Sequence, residues 1–426
     1  MASDYNIDLQ DSEMEPNPDS SVLELYGYQS HTCGYCSPPG QRSEGNTSHS
    51  VGLSAISLTC EDYQMMIDRG WRRSGTYCYK PDMQRTCCPQ YTIRLDTKLF
   101  TPTKKQRKVA SRWNRYILDG SDDNELDDKG ASKNSKKPRK LPPFSLIGTT
   151  HASEASFINP ETPPKHKFEV ELEPASFTDE KFNLYRCYQK NIHKEELERS
   201  PNGFKRFLVL SPLKTSKIVY EKEPPTYLPR EYGSYHQLYR VDGKLIAIAV
   251  LDILPSCVSS VYFMYDNAWE KFSLGKLSAL REASLTREMA EYGAKDMNYL
   301  YMGYYIHSCQ KMRYKGDYSP SFLLDPETYS WFPLKDCIKL LEQYTYACFA
   351  HPDHSSLKSL KSSRSNSSSD NVSEVEAGQS QVLIRGIGAL PLSETNVFSH
   401  PYLRDVFLEA ITNLGLELSN RVLFTV

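Results

Sequence analysis

Alternation of apolar and polar positions picks out the strands first. Phe168-Glu-Val-Glu-Leu172 and Tyr91-Thr-Ile-Arg-Leu95 alternate as half-buried strands do. The longest such tract covers residues 233–255, where Asp242-Gly243 separates two strand-like runs and marks a tight hairpin. Residues 258–265 and 299–306 read as two further strands, with a helix pattern opening at Gly275 between them. Helical spacing recurs over 63–69, behind the capping-box-like Thr59-Cys-Glu-Asp62, and over 182–198 and 334–348. A last helix is predicted over 402–418, where Leu403, Val406, Phe407, Ile411 and Leu414 share one face.

Polar and low-complexity stretches divide this pattern. Residues 1–29 are acidic and aperiodic, a flexible leader. Residues 30–118 form a small Cys-rich domain, 119–165 a linker rich in Asp, Lys, Ser and Pro, and 166–350 a second folded domain. A Ser-rich segment, 351–382, is expected to be disordered, and 383–426 is a tail containing the last helix. The fold class expected from these elements is α+β. At 426 residues the chain has room for two or three cores. It contains no run of eighteen or more apolar residues, and its acidic start lacks a signal-peptide layout, so an intracellular, non-membrane protein is expected. A formal charge of −2 leaves nucleic-acid binding to local patches. One such patch combines Lys104, Lys105, Arg107, Lys108, Arg112 and Arg115 with Trp113 and Tyr116; residues 133–140 supply a second, which reads more simply as a solvated linker or import tract.

Six of the eleven cysteines precede residue 90. Cys33-Gly-Tyr-Cys36 has the spacing that lets two thiolates reach one ion from a tight turn. Cys87-Cys88-Pro89 offers a second pair, although neighbours on a straight strand point to opposite faces and need a bend to share an ion. Pro89 permits one; His31, His49, Cys60 or Cys78 are the alternatives. Zinc and an iron–sulfur cluster both suit thiolates, and free thiols are the plain alternative.

Longer motifs carry a resemblance. Cys33-Gly-Tyr-Cys36, Ile67-Asp-Arg-Gly-Trp-Arg-Arg-Ser-Gly75 and Thr86-Cys-Cys-Pro-Gln-Tyr-Thr-Ile-Arg94 resemble the N-terminal domain of eukaryotic arginyl-tRNA–protein transferases. Gly233-Ser-Tyr-His-Gln237, Asp252-Ile-Leu-Pro255, Cys257-Val-Ser-Ser-Val-Tyr262, Ser278-Ala-Leu-Arg-Glu282, Tyr301-Met-Gly-Tyr-Tyr-Ile-His-Ser-Cys309 and Tyr314-Lys-Gly316 resemble the second half of that family. The likeness spans roughly residues 30–100 and 166–335, on both sides of a linker that is short for the family. It implies transfer of arginine from Arg-tRNA to the α-amino group of proteins beginning with Asp, Glu or oxidised Cys. The product would be an N-degron read by ubiquitin ligases, in the cytoplasm and also in the nucleus. It further implies an acetyltransferase-like (GNAT) mixed sheet with flanking helices in the C-terminal domain, and zinc or iron–sulfur in the N-terminal one. The competing readings are a CoA-dependent N-acyltransferase and a non-catalytic zinc and RNA-binding protein.

The residues accommodate that chemistry. An aminoacyl ester is already activated, so ATP is not needed, and no Gly-rich phosphate loop is present. A single glycine in Phe272-Ser-Leu-Gly275 argues against CoA. The attacking α-amine has an ordinary pKa of about 7.7–8.0, so the protein must mainly orient substrates and stabilise an oxyanion. Asp252, ending an apolar strand, is the first choice as catalytic-site carboxylate for the donor guanidinium. His236, Gln237, Arg69, Arg72, Arg73, His307, Lys311, Tyr314 and Lys315 are the substrate-binding candidates, chiefly cations for an acidic acceptor. Lys104, Lys105, Arg107 and Lys108 are the candidates for tRNA, and Cys33, Cys36, Cys87 and Cys88 for metal.

Overall fold

The computed structural model describes residues 20–38, 41–121, 144–159, 161, 163–194, 199–357 and 372–425. The basic tract at 133–140 lies outside these. Two mixed sheets organise the described chain. The smaller is built on β1 (Val22–His31), β2 (Ser48–Thr59), β3 (Arg72–Ser74) and β4 (Tyr77–Pro81), with α1 (Cys60–Ile67) after β2. Thr59 caps α1 as its sequence predicts, accepting from the Asp62 N–H. β5 (Tyr91–Asp96) then crosses into the larger sheet, followed by α2 (Lys104–Asp119) and α3 (Leu146–His151). β6 (Phe168–Pro174), α4 (Asp179–Asn191), α5 (Pro201–Phe204) and the short β7 (Leu213–Lys214) and β8 (Ser216–Lys217) lead to the hairpin of β9 (Glu231–Val241) and β10 (Lys244–Leu254). β11 (Cys257–Tyr265), α6 (Leu274–Glu291), β12 (Tyr299–Tyr305), β13 (Ser321–Leu324) and β14 (Trp331–Pro333) complete the larger sheet in the order β14-β13-β5-β12-β11-β10-β9-β6.

Four segments sit where the linear pattern does not show them. Within the stretch expected as a linker, α3 buries Leu146 in the larger core, and His151 Nε2 meets Glu288 of α6 at 2.8 Å. Residues 22–29, expected in the leader, are strand, paired with β2 along its length. Gly27 and two register shifts interrupt that strand, which breaks the alternation that would have revealed it. β5, from the Cys-rich stretch, lies between β12 and β13 and buries Tyr91, Ile93 and Leu95 in the larger core. In the tail, β15 (Gln381–Ile384), β16 (Gly388–Pro391) and β17 (Leu423–Thr425) extend the smaller sheet, with β17 parallel to β1. The predicted last helix is Pro401–Leu414, packing Phe407, Ile411 and Leu414 into the smaller core.

The two faces of the larger sheet bury different helices. Leu238, Ile248, Val250 and Met264 pack under Phe182 and Tyr185 of α4 and Phe204 of α5. The opposite face carries Tyr239, Ala247 and Ala249 beneath Leu280 and Ala283 of α6 and Trp113 of α2. Where β11 and β12 meet, the parallel ladder joins only Cys257, Val258 and Ser259 to Tyr299, Leu300 and Tyr301. Both strands continue past that point, and each is bulged there. The β10–β11 register shifts so that Leu251 pairs Ser260 while Val250 pairs Tyr262, leaving Val261 extra, and β12 shifts against β5 between Tyr301 and Tyr304. Gly303, at φ +69°, supplies the left-handed backbone of the second bulge. The result is a wedge opening between two bulged parallel strands.

Candidate active site and metal centre

The wedge is lined on its α6 side by a buried polar chain. Ser278 Oγ donates to Glu282 Oε1 at 2.6 Å, one turn away on α6, and Ser260 of β11 also bonds that carboxylate. Tyr239 Oη lies 3.2 Å from Ser278 Oγ and donates to Gln237 Oε1 at 2.7 Å. Burial pushes the Glu282 carboxyl up to about 7, against the effect of its serine partners. Tyr314 stands nearby: burial first, then the Glu282 charge, pushes its phenol up. Neither Glu282 nor Ser260 was singled out from the sequence. The available signal was Ser278-x-x-x-Glu282, a polar pair one turn apart on a stripe that continues through Leu285 and Met289.

On the β12 side two cations converge on the Gly303 bulge. Arg72 Nη2 donates to the Gly303 carbonyl at 3.4 Å, and Lys315 Nζ donates to the neighbouring Tyr304 carbonyl at 2.8 Å. The Arg72 guanidinium lies over the Tyr304 ring at 5.2 Å, and its buried Nε has no hydrogen-bond partner among the described residues. Burial, reinforced by Arg72, pushes the Lys315 ammonium down to about 7. No carboxylate pairs with either cation among the described residues. Two cations without a paired carboxylate favour an anionic ligand, although the Asp68 carboxyl also feels the Arg72 charge.

The basic start of α2 adjoins this turn. Thr103 and Gln106 form a reciprocal capping box, and Gln106 Nε2 also donates to the Asp317 carbonyl at 3.2 Å, two residues past Lys315. Trp113 and Ile117 face the core, while Lys104, Lys105, Arg107 and Lys108 are exposed.

The other sequence candidates lie elsewhere. Asp252 is wholly buried and both its oxygens are committed: Arg73 Nε donates to Oδ2 at 2.8 Å, Arg73 Nη2 to Oδ1 at 2.5 Å, and Ser234 Oγ to Oδ1 at 2.7 Å. Two candidates thus satisfy each other across the sheets and are not open to substrate. Gly75, at φ +64°, accepts from Arg73 Nη1, and a Cβ there would meet the Arg206 carbonyl at 2.0 Å. His236 points to the α4 face, donating from Nε2 to the Leu208 carbonyl at 2.8 Å and facing Lys181 Nζ through Nδ1 at 3.2 Å; burial first, then Lys181, pushes it down to about 4. It is a neutral core histidine. Gln237, one residue on, faces α6 instead. Arg69 lies over Tyr329 and donates to the carbonyls of Thr412 and Asn413, holding the last helix. His307 Nδ1 faces Tyr305 Oη at 2.9 Å just beyond β12, and the exposed Lys311 approaches the Tyr35 ring at 6.0 Å. The structure therefore brings Arg72, Tyr314 and Lys315 to the wedge and removes Asp252, Arg73, His236 and Arg69 from it.

Beyond β12 stands the cysteine cluster. The Sγ atoms of Cys33, Cys36, Cys87 and Cys88 all lie within 4.8 Å of one another, with Cys36 and Cys87 at 3.7 Å. Cys87 and Cys88 occupy a bend rather than a strand, so both reach the same centre. Cys60 and Cys78 are buried in the smaller core, away from it. The Tyr35 N–H donates to Cys33 Sγ at 3.3 Å, a contact that suits a thiolate ligand, and Cys33 and Cys88 pack on Ile306 and Cys309 at the exit of β12. Four converging sulfurs fit a thiophilic metal.

Comparison with known proteins places this geometry. Residues 31–108 match the family described as arginine-tRNA-protein transferase, N terminus, and residues 180–325 match its C terminus. Arginyl-tRNA–protein transferase 1 of Drosophila melanogaster is 33% identical, covering 76% of this chain and 85% of that protein. The chain belongs to the arginine-tRNA-protein transferase family. As a member it is an aminoacyltransferase, moving arginine from tRNA to protein. The Dictyostelium discoideum arginyl-tRNA–protein transferase 1 is 27% identical over 95% of this chain and 98% of its own length. An aspartate/glutamate leucyltransferase of Pseudomonas savastanoi is 26% identical over 71% of this chain and 94% of its own. The two family matches flank the unmatched stretch containing α3 and β6, and α6 and the wedge fall within the C-terminal one. No helix of the described residues is long and apolar enough to cross a membrane.

Proposed function

We propose that this arginyltransferase selects acceptors with an N-terminal Asp, Glu or oxidised Cys, binding the acidic side chain between Arg72 and Lys315 at the Gly303 bulge. The observation that carries the reading is this pair of cations with no anionic partner among the described residues. The likeness to a leucyltransferase named for aspartate and glutamate supports the same acceptor class. The acceptor's α-amine then enters the wedge, where exposed backbone of the bulged strands can meet the developing oxyanion. Antiparallel β9, β10 and β11, the α6 crossover to parallel β12 and the bulged opening support an acetyltransferase-like core, with an aminoacyl ester in place of acyl-CoA. The arginylated product would serve as an N-degron for ubiquitin ligases, in cytoplasm and nucleus.

Replacing Lys315 with Met should raise KM for an Asp-initiated peptide about ten- to hundredfold, the range of a lost charge-assisted hydrogen bond, with kcat less affected. A Gly-initiated peptide should be poor for both proteins. The pH dependence has a definite sign. Lys315 carries its charge below about 7 in the empty site, so acceptor KM should fall as pH drops through 7. Meanwhile kcat should fall too, as the acceptor amine protonates. A Lys315→Met protein with unchanged KM and the same pH profile would reject the acceptor assignment.

The exposed basic turn of α2, joined to the Lys315 turn through Gln106, is proposed as the track for the tRNA acceptor stem. Substituting Lys104, Lys105 and Lys108 with Ala should weaken tRNA binding and flatten the slope of log K against log salt. The change is about 0.9 for each duplex phosphate contact removed. An unaltered slope would move the tRNA elsewhere.

For the cysteine cluster we propose a single zinc-like ion. Tetrahedral thiolates at about 2.3 Å from one metal are about 3.8 Å apart, against the 3.7 Å between Cys36 and Cys87. A cluster assigns its thiolates to different irons and spreads them further. When bound, the ion would stabilise the turns that pack on the end of β12; it is given no chemical step.

A further inference from the structure

Fully buried carboxylates in the described core nearly all have compensation. Asp62 pairs with Arg421, Glu154 with Arg281, Asp252 with Arg73 and Glu288 with His151, while Asp325 accepts the Phe349 and Ala350 N–H groups. Glu282 is the exception: it is 2 % exposed, yet its partners are the hydroxyls of Ser278 and Ser260, and no cation reaches it among the described residues. A buried carboxylate without a counter-charge is costly, and a cleft where a ligand completes it is one place where such a group is expected. Glu282 stands beside the bulge in β11, across from the half-exposed backbone at Gly303 where Arg72 and Lys315 gather. The wedge therefore presents a carboxyl group with no counter-cation on the α6 side and two cations with no carboxylate in ion-pair contact on the β12 side, among the described residues.

We propose that Glu282 is the donor-specificity residue, its carboxylate receiving the guanidinium of the arginine esterified to the tRNA. The inference rests on the wedge being the transfer site and adds the donor side to the acceptor side argued above. Asp252, the sequence candidate for this task, is already engaged by Arg73. A planar guanidinium offers a carboxylate two parallel N–H donors and a positive charge together; lysine lacks the paired geometry and a neutral isostere lacks the charge. Ser278 and Ser260 fix the carboxylate's orientation. Binding of the cation also restores its ionised form, which burial disfavours in the empty site.

The test compares one tRNA charged with arginine or with citrulline, the neutral isostere. The unmodified enzyme should prefer arginine by about ten- to hundredfold in kcat/KM. Glu282→Gln should bring the two donors within about threefold of each other, because one charge-assisted pair sets the difference. KM for an Asp-initiated peptide should stay as it was. Retained preference for arginine would overturn the proposal. So would an equal loss with both donors, which would make Glu282 a proton acceptor or a core support. Altered acceptor KM in Lys315→Met is a separate result, so failure of the acceptor reading and of this one are distinguishable. If Glu282→Gln does not fold, the unmodified enzyme decides: arginine methyl ester should compete with Arg-tRNA and citrulline methyl ester should not, and equal competition overturns the assignment.

Discussion

Replacing Asp252 with Ala should destabilise the protein by about 3–5 kcal/mol, because it strands a buried guanidinium. Arg73 and Asp252 expose 4% and 0% of their side chains. Arg73 belongs to β3 of the smaller sheet and Asp252 to β10 of the larger, so the pair ties the two together. Its hydrogen bonds are complete: Arg73 also donates to Ser234 Oγ at 2.9 Å and to the Gly75 carbonyl at 3.0 Å. Arg73→Ala should cost a similar amount, leaving Asp252 with Ser234 alone. Domain stabilities commonly total about 5–15 kcal/mol, so either change puts the fold itself at risk and loss of transfer would follow from that. The joint change Arg73→Met with Asp252→Leu should recover much of the loss, since isosteric apolar replacement of a buried pair is often neutral. Urea midpoints of the two single variants and the double variant check this. An Asp252→Ala protein with wild-type stability and no transfer would return Asp252 to the active site.

The hairpin at Asp242-Gly243, the α6 pattern and both strands of the wedge were readable because each has one apolar face and a local turn signal. Asp252 and His236 were expected to face substrate, and the structure gives each a partner inside the fold, for a common reason. A polar residue in a family-like strand motif looks the same whether it faces a ligand or a partner on another element, and Arg73 and Lys181 are distant in sequence. Gln237 and His236 differ by one residue and therefore by one face of the sheet; nothing local says which face is which. Glu282 was passed over because its meaning lies in what it lacks, a counter-charge, and that is a property of the assembled core. β1 was hidden by its glycine-interrupted register, and β15 to β17 by their dependence on β1, to which the chain returns after about four hundred residues. The cysteine pairs were legible, since spacing and a nearby proline were local evidence. The bend at Cys87-Cys88 resolves the geometric objection to them.

Protein purified without oxygen should contain about one zinc per chain and no stoichiometric iron or sulfide, the outcome expected for a mononuclear tetrathiolate site. Iron with sulfide and a visible absorption band would overturn the single-ion reading in favour of a cluster. Cys88→Ser should lose the ion with the largest structural effect, because Cys88 is buried against Ile306 and Cys309 while Cys36 is exposed. Four-thiolate binding contributes folding energy of about 10 kcal/mol or more in small zinc domains. Here a part of that suffices to hold 33–36 against 87–88. The consequence reaches catalysis through packing. Cys309 caps β12 on the cluster side, and the chain runs on from it through Lys311 and Met312 to Lys315, whose Nζ contacts Met312 Sδ at 3.8 Å. Metal loss should therefore raise acceptor KM well before it abolishes the fold, while the arginine-over-citrulline preference set across the wedge persists. Activity that is unchanged after complete removal of the metal, with the melting temperature also unchanged, would reduce the cluster to a set of neighbouring free thiols.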